Sequence, residues 1–517
     1  MQLNHKIDHS LSRSFLLLCG VMFSLSSHAK TVELTTSQGK LIGTSSATNN
    51  DISVFKGIPF AKPPVGSRRW THSELADTWE ASRLATQFSP ACMQHPYPEG
   101  TFFSRPSLPT SEDCLYLNIW SGAKAEEKLP VMLWIHGGAL TRGTAAITAY
   151  DGTALASKGV IVVSINYRLD VFGYFSHPEL KLSNGQPAAN FGTSDQVTAL
   201  RWVKKYISEY GGDPDNVTIF GESAGSRSVH HLMSTPSAKG LFHRAIGQSG
   251  SSLESMSDAR LAASASNQMA VNYQLAAKAD SLADLKQIDA ASILTTAKGF
   301  RFRPVLDGNI FEDQIYTLFE QGQYNSVPLM VGFNADEGTT LGVAAAVPKT
   351  QQGYKAGVHK RFGTLADEFL AIYPADDLYR STMDAFRDSF VTWSMQTWAM
   401  RMANTSQAAY LYYFTFEPSG EKLGAYHAAE IVYAFNNIDL LLESAPDKHK
   451  RLAETMSDYW VAFAKSGTPN AEGLTTWMPY SKDNRHYIEL DDTITGKRDL
   501  LPGIWEFHDK VRLEQAR

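Results

Sequence analysis

The segment most able to do chemistry is the pentapeptide Gly221-Glu222-Ser223-Ala224-Gly225. It follows a short apolar run at 217–220, which predicts a strand, and precedes a segment of helical character. In a G-x-S-x-G turn of this kind, the flanking glycines allow a close backbone approach and the serine Oγ projects from a sharp bend. The context predicts a nucleophilic serine at 223, and an ordinary glycine-flanked turn is the alternative interpretation.

A serine hydroxyl is a weak nucleophile alone, so it requires a general base and a carboxylate that orients the base. In proteins with this type of turn, the acid and then the histidine follow the serine along the chain. Asp336 and Glu337 come just after a predicted strand and are the acid candidates. The base candidates are His427, a loop away from another predicted strand, and His359, in a stretch rich in Lys and Arg. Placement favours His427, with a purely structural histidine as the alternative.

A glycine-rich loop supplies candidate donors for a developing negative charge. His136-Gly137-Gly138-Ala139 directly follows an apolar run at 131–135. The backbone N–H groups of Gly137 and Gly138, together with that of Ala224, are of the kind that surround an oxyanion. A plain glycine-rich turn is the alternative.

The elements that must position these residues follow an alternating pattern. Short runs rich in branched residues predict buried strands, and the segment 194–210 has helical spacing. Beyond residue 253 the pattern becomes mainly helical. The sequence therefore predicts an α/β fold, with a central, mostly parallel sheet flanked by helices and a helical C-terminal elaboration. No clean linker divides the chain, so residues 30–517 are predicted to form a single large domain. The predicted strands are 115–120, 131–135, 160–165, 217–220, 328–333 and 410–416, with a hairpin at 31–46.

Composition excludes several classes of protein. The chain has 517 residues, 43% of them hydrophobic, which is enough for a large core. Lys and Arg number 47 against 53 Asp and Glu, so no basic field is available for a phosphate backbone and no nucleic-acid partner is expected. No Cys and His residues have the spacing of a zinc site, and we expect neither a metal nor a cofactor.

The N-terminus has the pattern of a secretory signal peptide. Lys6 and Arg13 precede an apolar run at 15–25, and small residues flank His28. Residues 1–29 are therefore predicted to be a signal peptide, cut after Ala29, and the protein is expected to be secreted or periplasmic. A buried amphipathic helix is the alternative. The run is too short to span a bilayer, and no later stretch is long and apolar enough, so no stable membrane anchor is expected.

Two of the three cysteines, Cys92 and Cys114, follow the predicted signal peptide. An even pair in an oxidising compartment predicts one disulfide, with two free thiols as the alternative.

Several longer stretches accompany these individual motifs. They are Phe55-Lys-Gly-Ile-Pro-Phe-Ala-Lys-Pro-Pro64, Ser111-Glu-Asp-Cys-Leu-Tyr-Leu-Asn118, His136-Gly-Gly138, Asn166-Tyr-Arg-Leu169, 211–225, Gln248-Ser-Gly250 and Asn334-Ala-Asp-Glu-Gly338. Through these stretches the chain resembles the type-B carboxylesterase and cholinesterase-like family of α/β-hydrolases. The resemblance implies that Ser223 is the nucleophile, that Glu337 rather than Asp336 is the acid, and that His427 is the base. It also implies the Cys92–Cys114 disulfide.

The resemblance implies a secreted serine carboxylesterase that hydrolyses small-molecule esters through an acyl-enzyme. An amide or lactone hydrolase would use the same residues, and a non-catalytic adhesion module is a further alternative. Arg227 follows the serine, in a segment where members of the family tend to have small residues. Arg142 follows the glycine loop, and Arg301 and Arg303 precede residues 304–308. Because arginine suits bidentate carboxylate recognition, we hypothesise that one or more of these arginines, with Arg142 and Arg227 as the first candidates, binds a free carboxylate on the acyl group, as in fumonisin-type tricarballylate esters. Surface arginines that pair with structural acids are the alternative.

Overall fold

The computed structural model describes residues 29–97, 103, 109–253, 262–418, 423–442 and 444–515. The predicted signal peptide, apart from Ala29, lies outside these residues. Within the described part of the chain, fifteen strands are present. They are β1 (Thr31–Thr36), β2 (Gly39–Ser45), β3 (Ser53–Pro59), β4 (Arg83–Leu84), β5 (Ala91–Cys92), β6 (Thr110–Ser111), β7 (Tyr116–Ser121), β8 (Leu129–Ile135), β9 (Ile161–Ile165), β10 (Gly212–Glu222), β11 (Arg244–Gln248), β12 (Leu329–Asn334), β13 (Ala409–Phe414), β14 (His486–Leu490) and β15 (Thr495–Arg498).

Helices cover the sheet and dominate the second half of the chain. A π-helical turn covers Asp388–Thr392, between two of these helices. The helices are α1 (Thr153–Ser157), α2 (Asp170–Tyr174), α3 (Phe191–Tyr206), α4 (Ala224–Met233), α5 (Asn267–Ala276), α6 (Leu282–Gln287), α7 (Ala290–Thr296), α8 (Ile315–Glu320), α9 (Gln351–Phe362), α10 (Ala366–Ile372), α11 (Leu378–Arg387), α12 (Trp393–Ala403), α13 (Ile431–Ala434), α14 (Ile438–Leu441), α15 (Asp447–Ser466) and α16 (Ile504–Gln515).

The main sheet has the strand order β1-β2-β3-β7-β9-β8-β10-β11-β12-β13-β14-β15, with β4 paired to β2. All neighbours from β9 to β14 are parallel, whereas the strands at both ends pair antiparallel. This arrangement confirms the predicted, mostly parallel α/β sheet. The carboxyl ends of β8, β10, β11, β12 and β13 consequently meet along one edge, which is where such sheets place their sites.

Strand β8 shows why the centre of the sheet reads as a continuous apolar run. Val131, Leu133 and Ile135 face one core cluster, while Met132 and Trp134 face the other. Successive side chains of a strand point to opposite faces, so a strand covered by helices on both sides needs apolar residues at every position.

The strands predicted from apolar runs are all present, with shifted ends. Strand β10 begins at Gly212 rather than at 217, because Gly212 pairs with Leu129 before a register shift. The predicted helix 194–210 is α3, which starts at Phe191 and gives way to a tighter 3₁₀ turn at Ile207–Tyr210. Strand β11 was not predicted, since Arg-Ala-Ile-Gly-Gln carries too few apolar residues to be recognised.

Candidate active site

Ser223 occupies the bend between β10 and α4, as the sequence predicts. Its backbone has φ 55° and ψ −120°, a conformation rarely adopted by a residue with a side chain. The Ser223 N–H donates to the carbonyl of Gln248 at the end of β11, 2.8 Å away. A Cβ on Gly225 would lie 2.0 Å from the carbonyl oxygen of Ile135, so only glycine allows α4 to start this close to β8. The bend is therefore held by both neighbouring strands.

The acid and the histidine come together at the same edge of the sheet. Nδ1 of His427 lies 2.5 Å from Oε2 of Glu337, and both side chains are buried. The other oxygen of Glu337 accepts the backbone N–H of Asn334 at 2.9 Å. An ionised carboxylate only accepts hydrogen bonds, so this contact assigns the proton to Nδ1 and leaves Nε2 as the basic nitrogen.

Nε2 of His427 faces a second carboxylate. Oε1 of Glu222 lies 3.1 Å from it, although the two groups are not aligned for a hydrogen bond. Within the described residues, no hydrogen bond joins Ser223 Oγ to His427. Catalytic hydrogen bonds often tighten only when substrate is bound. The Glu222 contact was not predicted, because residue types alone do not reveal which way a side chain next to the serine points.

The other candidates for base and acid have different places. Asp336 pairs with Arg380 at 2.9 Å and accepts the backbone N–H of Ala425 at 3.0 Å, two residues before His427. It thus anchors the loop that carries the histidine instead of contacting the imidazole. His359 lies on the exposed surface of α9.

The glycine loop after β8 lies directly beside Ser223. A Cβ on Gly137 would lie 3.2 Å from the Cβ of Ser223 and 2.7 Å from Oε2 of Glu222. Among the described residues, the N–H groups of Gly137, Gly138 and Ala224 donate to no backbone acceptor. Free N–H groups next to the serine are the arrangement that an oxyanion requires.

Comparison with known proteins agrees with this geometry. The profile of the carboxylesterase family matches residues 30–502. The chain belongs to the carboxylesterase family. It is 34% identical over 486 residues to the para-nitrobenzyl esterase of Bacillus subtilis (strain 168), covering 90% of this chain and 96% of that protein. It is 34% identical over 489 residues to the fumonisin B1 esterase of Sphingopyxis macrogoltabida, and the match covers 89% of this chain and 88% of that protein.

Solved structures agree as well. A structure titled PNB esterase matches with a TM-score of 0.77 at 33% sequence identity, over 93% of this chain and 99% of the other. A thermophilic PNB esterase matches with a TM-score of 0.79 at 32% identity. The matches confirm the predicted type-B carboxylesterase resemblance and the α/β-hydrolase fold, and they identify a carboxylic ester hydrolase.

In this carboxylesterase, three buried glutamates surround the histidine. Glu430 accepts hydrogen bonds from Asn334 at 2.6 Å and from Gln248 at 3.1 Å. Burial raises the pKa of Glu222, the charge of His427 opposes this rise, and the charges of Glu430 and Glu337 add to it. Burial alone would lower the pKa of His427, but the charges of Glu222 and Glu337 outweigh it and raise that pKa above 6.5. The site therefore favours a proton on the histidine or on Glu222 near neutral pH.

The four arginines differ in their relation to this site. Arg227 lies on the first turn of α4, with its guanidinium 5.7 Å from the centre of the Phe390 ring. Phe390 in turn contacts the ring of His427 edge-on, at 5.9 Å between centroids. The guanidinium of Arg142 lies 5.2 Å from the centre of the Tyr97 ring. Burial raises the pKa of Asp170 to about 6, and the charge of Arg142 is one of the effects that oppose this rise. Arg301 and Arg303 are exposed.

Phe390 was missed from the sequence. It lies within the π-helical turn Asp388–Thr392, and π-helical turns occur frequently at functional sites. No local pattern of residue types announces such a turn.

Cys92 and Cys114 form the predicted disulfide. In the described ranges, no helix combines the length and apolar character required to cross a membrane. Among the same residues, no group of three or more His, Cys, Asp or Glu side chains is arranged to hold a metal ion.

Proposed function

We propose that this carboxylesterase is a serine enzyme that forms an acyl-enzyme at Ser223. The observation that carries the proposal is the hydrogen bond between His427 and Glu337, which leaves Nε2 as a base at the edge where Ser223 projects. An imidazole held in this way is the general base that a serine nucleophile requires.

The reaction follows from the positions of these groups. Ser223 Oγ attacks the ester carbonyl and passes its proton to Nε2 of His427, while Glu337 stabilises the imidazolium. The N–H groups of Gly137, Gly138 and Ala224 receive the negative charge that develops on the carbonyl oxygen. The alcohol leaves with the proton from His427, and water then repeats the sequence to release the acid. For the first transfer, Nε2 turns from Glu222 toward Ser223.

The test uses the purified protein with p-nitrophenyl butyrate. We expect a burst of nitrophenolate equal to the enzyme concentration and covalent labelling of Ser223 by a fluorophosphonate, read by peptide mass spectrometry. Ser223→Ala removes both, whereas Ser67→Ala, at an exposed serine, leaves them unchanged. Full activity in Ser223→Ala would refute the proposal.

We further propose that the preferred esters carry a free carboxylate on the acyl group, including tricarballylate esters of the fumonisin type. Arg227 supports this specificity, because it lies one helical turn beyond the nucleophile and covers Phe390, which contacts the base. Arginine is the side chain best suited to bidentate carboxylate binding. The 34% identity to a protein named fumonisin B1 esterase favours the same interpretation.

Paired esters test the specificity. The ratio of kcat/KM for a p-nitrophenyl hemisuccinate to that for the butyrate is compared between the natural protein and Arg227→Gln, Arg142→Gln and Arg303→Gln. A charged hydrogen bond contributes about 1.5–3 kcal/mol, so loss of the binding arginine lowers the ratio by about 10- to 150-fold. The exposed Arg303 is the control. An equal loss on both esters would refute the specificity.

We also propose export, with cleavage after Ala29. The Cys92–Cys114 disulfide supports it, since such bonds persist in oxidising compartments. Cell fractionation with intact-mass analysis tests it. A mature chain beginning at Lys30 outside the cytoplasm is expected, and a cytoplasmic chain that retains residues 1–29 would contradict it.

A further inference from the structure

Gln94 connects the disulfide to the glycine loop beside Ser223. Its side-chain Nε2 donates to the carbonyl of Gly143 at 2.7 Å and to that of Cys92 at 3.0 Å. Its Oε1 accepts the N–H of Gly143 at 2.7 Å. The Gln94 amide thus hydrogen-bonds to both the N–H and the carbonyl of Gly143, and both hydrogens of its NH₂ group are used. Only one orientation of the amide satisfies these contacts.

Gly143 lies against the loop that carries the candidate oxyanion donors. A Cβ on Gly143 would lie 2.5 Å from the carbonyl oxygen of Gly137 and 2.4 Å from Nδ1 of His136. On the other side of the loop, a Cβ on Gly138 would lie 2.1 Å from the carbonyl oxygen of Arg142. Backbone approaches this close leave no room for side chains, so a displacement of Gly143 is transmitted to Gly137 and Gly138.

The other end of the link is itself anchored. Cys92 is bonded to Cys114, and both are buried. The amide side chain of Asn166 makes a similar connection. It accepts a hydrogen bond from the N–H of Ala145 at 2.9 Å and donates one to the carbonyl of Pro90 at 3.3 Å. The amide side chains of Gln94 and Asn166 therefore connect Gly143 and Ala145, respectively, to the segment 90–92, which ends at the disulfide-bonded Cys92.

We propose that Gln94 is a positioning residue for catalysis, which holds the Gly137–Gly138 donors in place by clamping Gly143 to the disulfide-anchored segment. This role rests on the proposed function of those N–H groups. Within the described residues, the Gln94 side chain hydrogen-bonds to Cys92 and Gly143 and not to the nucleophile or the base. Its effect is expected on the transition state, where the oxyanion exists, rather than on the ground-state ester.

The experiment replaces Gln94 with the nearly isosteric Met, which removes the three hydrogen bonds. Active enzyme is counted by titration with a fluorophosphonate, so that misfolded protein does not enter kcat. We expect kcat for p-nitrophenyl butyrate to fall by about 10- to 100-fold, with KM changed less than about threefold, because displacing donors by a fraction of an ångström weakens transition-state contacts selectively. The control Gln186→Met, at an exposed glutamine, keeps both constants.

A trifluoromethyl ketone supplies a readout that a merely structural role would not move. It adds to the serine and places an oxyanion in the hole, so its Ki rises in Gln94→Met by the same factor as kcat falls. An unchanged Ki, or a loss confined to the titrated active fraction, would overturn the proposal. Loss of activity in Ser223→Ala with normal kcat in Gln94→Met would refute the clamp alone. Full activity in Ser223→Ala would instead refute the proposed function.

The link to the disulfide is tested by a double-mutant cycle. Replacing Cys92 and Cys114 by Ser is expected to lower kcat in the natural background, and to lower it no further in Gln94→Met. Fully additive losses would show that the disulfide and Gln94 act separately.

Discussion

The contact between Glu222 and His427 makes a prediction about the pH dependence of hydrolysis. His427 must be neutral to accept a proton from Ser223, so kcat/KM is lost as the pH falls through the apparent pKa of the histidine. The negative charge of Glu222, 3.1 Å from Nε2, stabilises the imidazolium and raises that pKa. Removing the charge in Glu222→Gln therefore moves the acid limb of the profile to lower pH.

The size of the shift follows from the distance. Full charges at that separation interact by roughly 5 kcal/mol with an effective dielectric constant of about 20, which corresponds to almost 4 pH units. Burial raises the pKa of Glu222 to about 8, so this carboxyl carries its charge over only part of the pH range of the profile. In the Glu222→Gln variant, Glu337 is unchanged and its charge still raises the pKa of His427. We therefore expect a shift of about one to two units.

The assay is kcat/KM for a neutral p-nitrophenyl ester between pH 5 and pH 10, in buffers of constant ionic strength. The natural enzyme should have an acid limb centred above the ordinary histidine value of 6.5. Glu430→Gln should shift it less, because Glu430 is the weakest of the charges that act on His427. Glu472→Gln, at an exposed acid, should not shift it. An acid limb that stays in place in Glu222→Gln would refute the electrostatic argument.

Three further predictions concern the acid, the oxyanion loop and the disulfide. Glu337→Gln is expected to lower kcat by about 10⁴, whereas Asp336→Asn lowers mainly the melting temperature; steady-state kinetics and thermal unfolding separate the two. Gly137→Ala places a Cβ 2.7 Å from Glu222 Oε2 and should lower kcat at least about 100-fold at constant active fraction. Removing Cys92–Cys114 opens a loop of 22 residues and should cost about 3 kcal/mol, or about 3 °C in Tm for a chain of this size, by calorimetry.

The sequence was most informative at positions where the chemistry and the backbone conformation both require one particular type of residue. Ser223 and the glycines around it announce a strand-to-helix bend, and the apolar runs that precede it and Glu337 identify strand ends. Because parallel strands end at one edge of the sheet, these local signals also predict that residues far apart in the chain meet. The disulfide followed from the two cysteines that remain after the predicted signal peptide.

What the sequence left open depends on side-chain direction and on packing between distant segments. The choice between Asp336 and Glu337 could not be made from spacing, since neighbouring residues on a turn point apart in ways that only the folded loop determines. Gln94 and Phe390 carry no local pattern, because each acquires its role from a contact with a segment at least 37 residues away in sequence.

The carboxylates around His427 also bear on the proposed substrates. Glu222, Glu337 and Glu430 are buried together, and an ester with a free carboxylate would add another negative charge close to them. Like charges in a desolvated site repel strongly, so such a substrate requires a compensating cation. Arg227 lies over Phe390, whose ring contacts His427 edge-on, and it is the cation that we propose for this role. A preference for anionic esters that disappears in Arg227→Gln would be the expected result of this balance, whereas a neutral-ester preference in the natural enzyme would mean that the carboxylates dominate.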